Sequence, residues 1–334
     1  MFEHAAYVFD RNALDRPRRA GISAIMRIRN GAAFLRSTIE SHLPYCDEIV
    51  ACFNDCSDDT EQILRELADA YPEKVRPVPY LPAVHLPYGR THNDTPTESV
   101  HSLANYYNFA LAQSRYCVAV KLDDDHLAVH RALDDCVRRI RADISLGVRR
   151  LYTFSGVNLV HARRAEVAVY ANQPFAGTGD HMYFPVCSQI HFKQTIDFEQ
   201  FEFSGLRLQK QYMGLLYLHV KHLKPDLGFG NLESERQRRS RLDFLRTARA
   251  ISIAEFCGER FQSKLRGQHN RLQYWLRTAP LIQGLIYAVS ARHPPLRICR
   301  LQRLAADVAA IDWQRDLFEQ LERTGVSMLR REGH

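Results

Sequence analysis

The stretch Tyr116–Val129, YCVAVKLDDDHLAV, constrains this chain more than any other. Its apolar start, Tyr116 to Val120, reads as a buried strand, and it stops against three carboxylates, Asp123, Asp124 and Asp125. Ligands of open α/β sheets gather at the carboxyl ends of strands. Carboxylates roughly 5 Å apart repel by about 3 kcal/mol per pair at an effective dielectric near 20. A divalent cation relieves that cost, and Mg²⁺ characteristically combines one or two carboxylates with water and phosphate oxygens. The triplet therefore reads as a D-x-D site, Asp123 and Asp125 holding Mn²⁺ or Mg²⁺ against a diphosphate. The plain alternative is an Asp N-cap on a helix that follows directly.

Upstream, apolar runs alternate with helical patterns. Gly21–Ile28 is a first strand, Asn30-Gly31 a turn and Ala33–His42 a helix. Glu48–Phe53 is a second strand that breaks at NDCSDDT, dense in capping and turn residues. A helix over Glu61–Tyr71, a strand over Val75–Tyr80 and a helix over Ser99–Gln113 lead into the central strand. Between them Leu81–Glu98 carries three prolines, a long loop of the kind that is more often functional than idle. This alternation predicts an α/β fold, a doubly wound, mostly parallel sheet flanked by helices. Past the acids, a helix over Arg131–Ala142 and a strand over Arg149–Val160 are expected.

The order of these pieces resembles the family-2 glycosyltransferases of the GT-A fold over roughly residues 20–230. GISAIMRIRNGAAFLRSTIESHLPYCDEIVACFNDCSDDTEQIL follows that family's opening of strand, Asn, helix, D-E-I-V, strand and acidic Ser/Thr turn. Asn30 falls on the family's Asn after the first strand, Asp58 and Thr60 on its turn, Asn108 on its third helix, and Asp123 and Asp125 on its D-x-D. The chain departs from the pattern at Phe53, Tyr107 and Arg27, which stand where an acid, an Arg and a Pro are usual. The resemblance implies donor contacts from Asn30, Asp58 and Asn108, and Arg27, Asn54, Asp124 and Lys221 are expected to join them. It implies a metal on Asp123, Asp125 and His219, with His222 the rival histidine. It also places the catalytic base at Asp180, in the Gly-rich FAGTGDHMYFPV segment, where Gly179 replaces the family's Glu. The plain alternative for Asp180 is a turn residue before an edge strand, and Asp197, Glu199 and Glu202 are competing acids. His219 and His222, at i, i+3, would share one helical face and could bind zinc there. Lys221 and Lys224 would either add positive charge beside a diphosphate or form a solvated face.

The implied activity is inverting, metal-dependent transfer of a sugar from a nucleotide-sugar donor to a hydroxyl of a glycan or lipid-linked acceptor. Bacterial capsule or lipopolysaccharide synthesis is the expected setting.

The net charge of +7 is unevenly placed. From Asn231 onward 19 Lys and Arg face 11 Asp and Glu, whereas residues 1–230 are near neutral. Residues 231–334 read as a basic α-helical extension, with Leu242, Leu245 and Ile251 on one helix and Leu301, Leu304, Val308 and Ile311 at helical spacing later. Residues 1–20 read as a lead-in. The extension's basic side could face an anionic membrane or simply water. MFEHAAYVFDRN lacks the marks of a signal peptide, and Ala279–Ala291 is too short to span a bilayer. Eight cysteines without a C-x-x-C pair suit reduced thiols and a cytoplasmic setting, at most peripheral to the membrane's inner face. Two other functions compete. A nucleotidyltransferase would usually need a Gly-rich phosphate loop, which RIRNGAAF is not. A nucleic-acid-binding protein would need a binding motif beside the charge, and none accompanies it, so no nucleic-acid partner is expected.

Overall fold

The computed structural model describes residues 5–162, 166–171, 173–177, 181–196, 198–206, 208–233, 235, 238–239, 242–243, 249–261 and 304–324. In chain order the elements are β1 (Arg19–Ile28), α1 (Leu35–His42), β2 (Glu48–Phe53), α2 (Thr60–Ala70), β3 (Val75–Pro79), α3 (Arg90–Asn93) and α4 (Leu103–Ala112). There follow β4 (Tyr116–Lys121), β5 (His126–Ala128), α5 (His130–Ser145), β6 (Arg150–His161), β7 (Val167–Tyr170), β8 (Phe175–Ala176) and β9 (Met182–Pro185). The remainder comprises β10 (Ile190–Gln194), β11 (Glu199–Phe203), β12 (Gln209–His222), β13 (Ala250–Ile251), α6 (Ile253–Cys257), α7 (Leu304–Ala309) and α8 (Glu319–Arg323).

The main sheet runs β13-β7-β6-β9-β4-β1-β2-β3. Strands β3, β2, β1 and β4 are mutually parallel, as expected for strands joined through helices. β9 then enters antiparallel beside β4, and β12 runs parallel to β6 while pairing antiparallel with β5. β10 and β11 form a separate hairpin.

Both faces of the parallel part are covered, which explains its continuous apolar strands. From β1, Ile22, Ala24, Met26 and Ile28 point to the side packed by Leu35 and Ile39 of α1, Leu64 and Leu67 of α2, and Leu133 and Ile140 of α5. Ile25 points the other way, with Val50 and Ala119, against Tyr106, Tyr107 and Leu111 of α4 and Phe192 and Phe201 of the hairpin. The α/β class is the expected one.

Two local expectations change. Ile251 lies in β13, where it pairs with Val169, instead of on a helix running through Phe256. Leu215–His222 is strand, so His219 and His222 do not share a helical face. Described parts of the C-terminal region pack onto the sheet itself. Ile251, Phe256, Val308, Ile311, Leu317 and Leu321 join Leu127, Val129, Leu215 and Leu218 in one buried cluster, and the Gln320 carbonyl accepts from Ser37 Oγ at 3.2 Å. Leu245, Leu301 and Ala279–Ala291 lie outside the described residues. Among the described residues no helix is long and apolar enough to cross a membrane.

Candidate functional site

The acids do not cap a helix. After them the chain forms β5, and α5 begins only at His130, behind Val129, which caps it with no side-chain bond. The turn from β4 into β5 instead displays the three carboxylates at the carboxyl end of β4. Leu122 N–H donates to Ile25 O at 3.0 Å, and Val220 N–H donates to Asp125 O at 2.9 Å, so backbone on both sides fixes the turn. Thr38 Oγ1 adds a bond to Asp124 O at 3.1 Å.

The facing wall comes from β12. Its register sets His219 opposite His126 and Tyr217 opposite Ala128. His219 Nδ1 lies 2.7 Å from Asn158 Oδ1, while the other end of that amide donates to Gln173 O at 2.8 Å. The amide oxygen is thereby oriented toward His219 Nδ1, and Nε2 is turned toward Asp125 Oδ1 at 3.4 Å. The loop after β12 brings Lys224 in from the same side, with Nζ 2.9 Å from Asp124 Oδ2 and 2.8 Å from Asp125 Oδ2. Left-handed Leu227 and Gly228 turn this loop back, and Asp226 accepts from the N–H groups of Gly228 and Gly230.

Electrostatics divides the acids. Burial pushes the Asp124 carboxyl up, with Lys224 only partly compensating. Burial acts the same way on Asp125, but Lys224, and after it His219, outweigh it and hold that carboxyl well below the usual range. Lys224 is itself held above the ordinary lysine value by the two carboxylates, against its burial. His126 is fully enclosed, and burial pushes its basicity far down.

Asp123 is more open. It has Lys121 Nζ at 3.6 Å, His126 Nε2 at 3.8 Å and Tyr107 Oη at 3.5 Å. Lys121 also lies 3.9 Å from Glu199 Oε1, and both it and the Arg27 guanidinium sit over the Tyr107 ring, at 5.2 and 5.0 Å. Burial lowers Arg27's basicity, but Tyr107, Glu199 and Asp123 more than restore it. Arg27, Lys121, Tyr107, Glu199 and Asp123 are thus one charged group at the sheet's carboxyl edge. Of the competing acids, Glu199 belongs to it. Glu202 is half-exposed beside Lys193 and His191 on the hairpin. Asp180 and Asp197 lie outside the described residues.

Other expected donor contacts have structural partners. Asn30, left-handed at φ 53°, accepts from Ser57 N–H. Asp58 accepts from Ala32 N–H and Thr60 Oγ1, tying the second strand's turn to the first. Asn54 is buried and donates to Tyr80 O and Pro82 O. Asn108 is buried and exchanges two bonds with the Phe192 backbone. The stem of Lys221 packs beside Gly228, where a Cβ would stand 2.2 Å from Lys221 Cγ. His222 turns away from the acids to Leu227 O at 3.0 Å.

Two histidines absent from the sequence reading complete the site. His126 and His181 both lie against the Tyr217 ring, with centroids 3.9 and 5.2 Å away. Ligand atoms of Asp123, His126 and His181 lie within 4.8 Å of one another, as do those of Asp125, His126 and His219. The DDDH run could have suggested His126, whereas nothing local to His181 announces its role.

Residues 3–142 match the model of a family described as beta-1,4-N-acetylgalactosaminyltransferase (CgtA). The resemblance is to glycosyltransferases. No curated protein matches the chain in sequence. Among solved structures, Mycobacterium tuberculosis glucosyl-3-phosphoglycerate synthase, in complex with Mn²⁺, uridine diphosphate and glucosyl-3-phosphoglycerate, is 19% identical over 43% of this chain and 46% of that one, with a TM-score of 0.28. The match thus spans about half the length of that synthase. S. aureus TarS 1–349 is 14% identical over 86% of this chain and 88% of its own, with a TM-score of 0.38.

Proposed function

We propose that the chain transfers a sugar from a nucleotide-sugar donor to a hydroxyl of a glycan or lipid-linked acceptor. One observation carries this reading: three carboxylates end a central strand under a wall that supplies His219 and Lys224. The match of residues 3–142 supports it independently.

The residues fit a divalent cation. His126 Nε2 is buried with no hydrogen-bond partner, facing Asp123 Oδ2 at 3.8 Å and Asp125 Oδ1 at 3.9 Å. Asp123, Asp125 and His219 would hold the ion, and when bound it supplies positive charge against the leaving diphosphate. Lys224 and Lys121 add fixed charge at the same edge, while Arg27 and Tyr107 form a rigid wall beside it. Asp180 is the base in this reading, taking the acceptor's proton as the hydroxyl attacks the anomeric carbon from the face opposite the leaving group, with inversion. Its chain neighbour His181 belongs to the site, which supports that placement. Bacterial capsule or lipopolysaccharide synthesis on the cytoplasmic side is the setting we infer, with the basic C-terminal region approaching anionic lipid.

A thermal-shift screen of nucleoside diphosphates and nucleotide sugars, with and without Mn²⁺, tests the reading. Selective binding stabilises the fold by mass action, so one base should raise the melting temperature in a cation-dependent way. No shift with any nucleotide at millimolar concentration would refute it.

A further inference from the structure

Buried imidazole nitrogens nearly always find a partner. His126 is 2% exposed, yet its Nε2 has no hydrogen-bond partner and is aimed between two carboxylates. The distances to Asp123 Oδ2 and Asp125 Oδ1, 3.8 and 3.9 Å, are too long for hydrogen bonds. They are close to what two donors need when they share a cation. With bonds of about 2.1 Å, donors at octahedral or tetrahedral angles stand roughly 3.0–3.4 Å apart, so closing around an ion takes about half an ångström.

His126 also belongs to both ligand groups, Asp123–His126–His181 and Asp125–His126–His219. Each is two histidines and one carboxylate. His126 Nε2 faces both Asp123 and Asp125, so the two groups meet at a common ligand. The surroundings hold that nitrogen in place. The ring stacks on Tyr217 at 3.9 Å, and Lys224 occupies Asp125 Oδ2, leaving Oδ1 to the histidines.

We propose that His126 is a metal ligand and that the site is consequently nitrogen-rich, taking a divalent first-row transition metal in preference to Mg²⁺. This rests on the reading of the acids as a metal site and extends it in ligand and metal identity. Imidazole suits transition metals, whereas Mg²⁺ favours oxygen donors and keeps its water. The expected order of affinity is Zn²⁺ and Co²⁺ above Mn²⁺, with Mg²⁺ last.

The test titrates the full chain, stripped with chelator, with Co²⁺, Zn²⁺, Mn²⁺ and Mg²⁺ by calorimetry, with and without uridine diphosphate. Visible absorption of the Co²⁺ form reports nitrogen ligation directly. The wild type should bind one Co²⁺ at least about tenfold more tightly than Mg²⁺. Removing even a supporting group around a metal costs about 10–100-fold in affinity, so His126→Gln should lose at least about tenfold for Co²⁺ and lose the preference over Mg²⁺. The double variant His181→Gln/His219→Gln, altered at less buried positions, should change the Co²⁺ spectrum even if His126→Gln folds poorly. If His126→Gln and the double variant both bind Co²⁺ like the wild type while Asp125→Asn does not, the inference falls and the acid site stands. If no cation binds the wild type in either condition, the acid site falls as well.

Discussion

Lys224 Nζ bridges Asp124 and Asp125, 2.9 Å from one carboxylate and 2.8 Å from the other. All three groups are largely buried, so a single ammonium offsets part of the repulsion between two acids across low dielectric. Breaking a buried ion pair from one side typically costs 3–5 kcal/mol, because the remaining charge is left uncompensated.

Lys224→Met should therefore lower unfolding free energy by about 3–5 kcal/mol near neutral pH. The loss should shrink in acid, as one of the carboxyls takes up a proton, and Mn²⁺ should restore part of it. Urea denaturation at pH 7 and pH 5, with and without Mn²⁺, checks this. A loss that is independent of both pH and cation would show that the lysine acts through packing alone.

Acid should weaken the fold through buried histidines. Burial lowers His42 to about 4 and His222 to about 4, while unfolded histidine titrates near 6.5. Between these values the unfolded chain binds more protons, so the stability these residues give is present above about pH 6.5 and falls as pH drops toward 4. His42, bonded through Nδ1 to Thr38 O, accounts for about 2 kcal/mol between pH 7 and pH 5. Asp316 opposes the trend. Burial raises it to about 6, so its contribution is present below about pH 4 and lost as pH rises through 6. His42→Gln should flatten the stability profile between pH 7 and 5, and an unchanged slope would remove His42 from the account.

Tyr217 carries the stacked histidines and is held by a glycine across the strand pair. A Cβ at Gly156 would stand 2.4 Å from Tyr217 Cε2. Gly156→Ala should tilt that ring, cost about 1–3 kcal/mol as an overpacked core does, and weaken cation binding though it adds no group at the site. Calorimetry alongside urea melts separates these effects. Wild-type cation affinity in a destabilised variant would show that Tyr217 does not position His126.

The parallel half of the sheet was legible because each strand sits between turn signals. Glu48–Phe53 is a strand with the bounds read from its apolar run. The place of the acids was legible too, since they follow the apolar run of the central strand and no helix starts on them. The far half was not. In β12, Leu215, Leu216, Tyr217 and Leu218 are all buried, so no alternation betrays the strand and HVKH reads equally as helix. β13 is two residues long and exists only by pairing with β7. His126 and His181 meet through β5, β9 and β12, strands distant in the chain, and no local pattern encodes that encounter. Asn108 stands on a position of the resembled family and Asn54 stands beside one, and both side chains are bonded to backbone in the interior. A sequence match of position does not reveal which way a side chain turns.

The identity of the base is the sharpest remaining test. Asp180 immediately precedes His181, and glycine-flanked turns let a carboxylate approach a sugar without crowding. Glu199 is the rival that geometry places in the site, 3.9 Å from Lys121, which in turn lies 3.6 Å from Asp123. Its place beside Lys121 and its charge near Arg27 suit Glu199 to orient those two cations. Asp180→Asn keeps size and hydrogen bonding but removes the base, so turnover should fall by about 10²–10⁴ with donor affinity unchanged. Glu199→Gln should instead weaken donor binding, by releasing Lys121 and Arg27, and leave the pH dependence of turnover in place. Steady-state rates across pH, with donor affinity measured by calorimetry in the same variants, separate the two roles. If Glu199→Gln abolishes the acidic limb of the pH profile while Asp180→Asn keeps more than about a tenth of wild-type turnover, the base is Glu199.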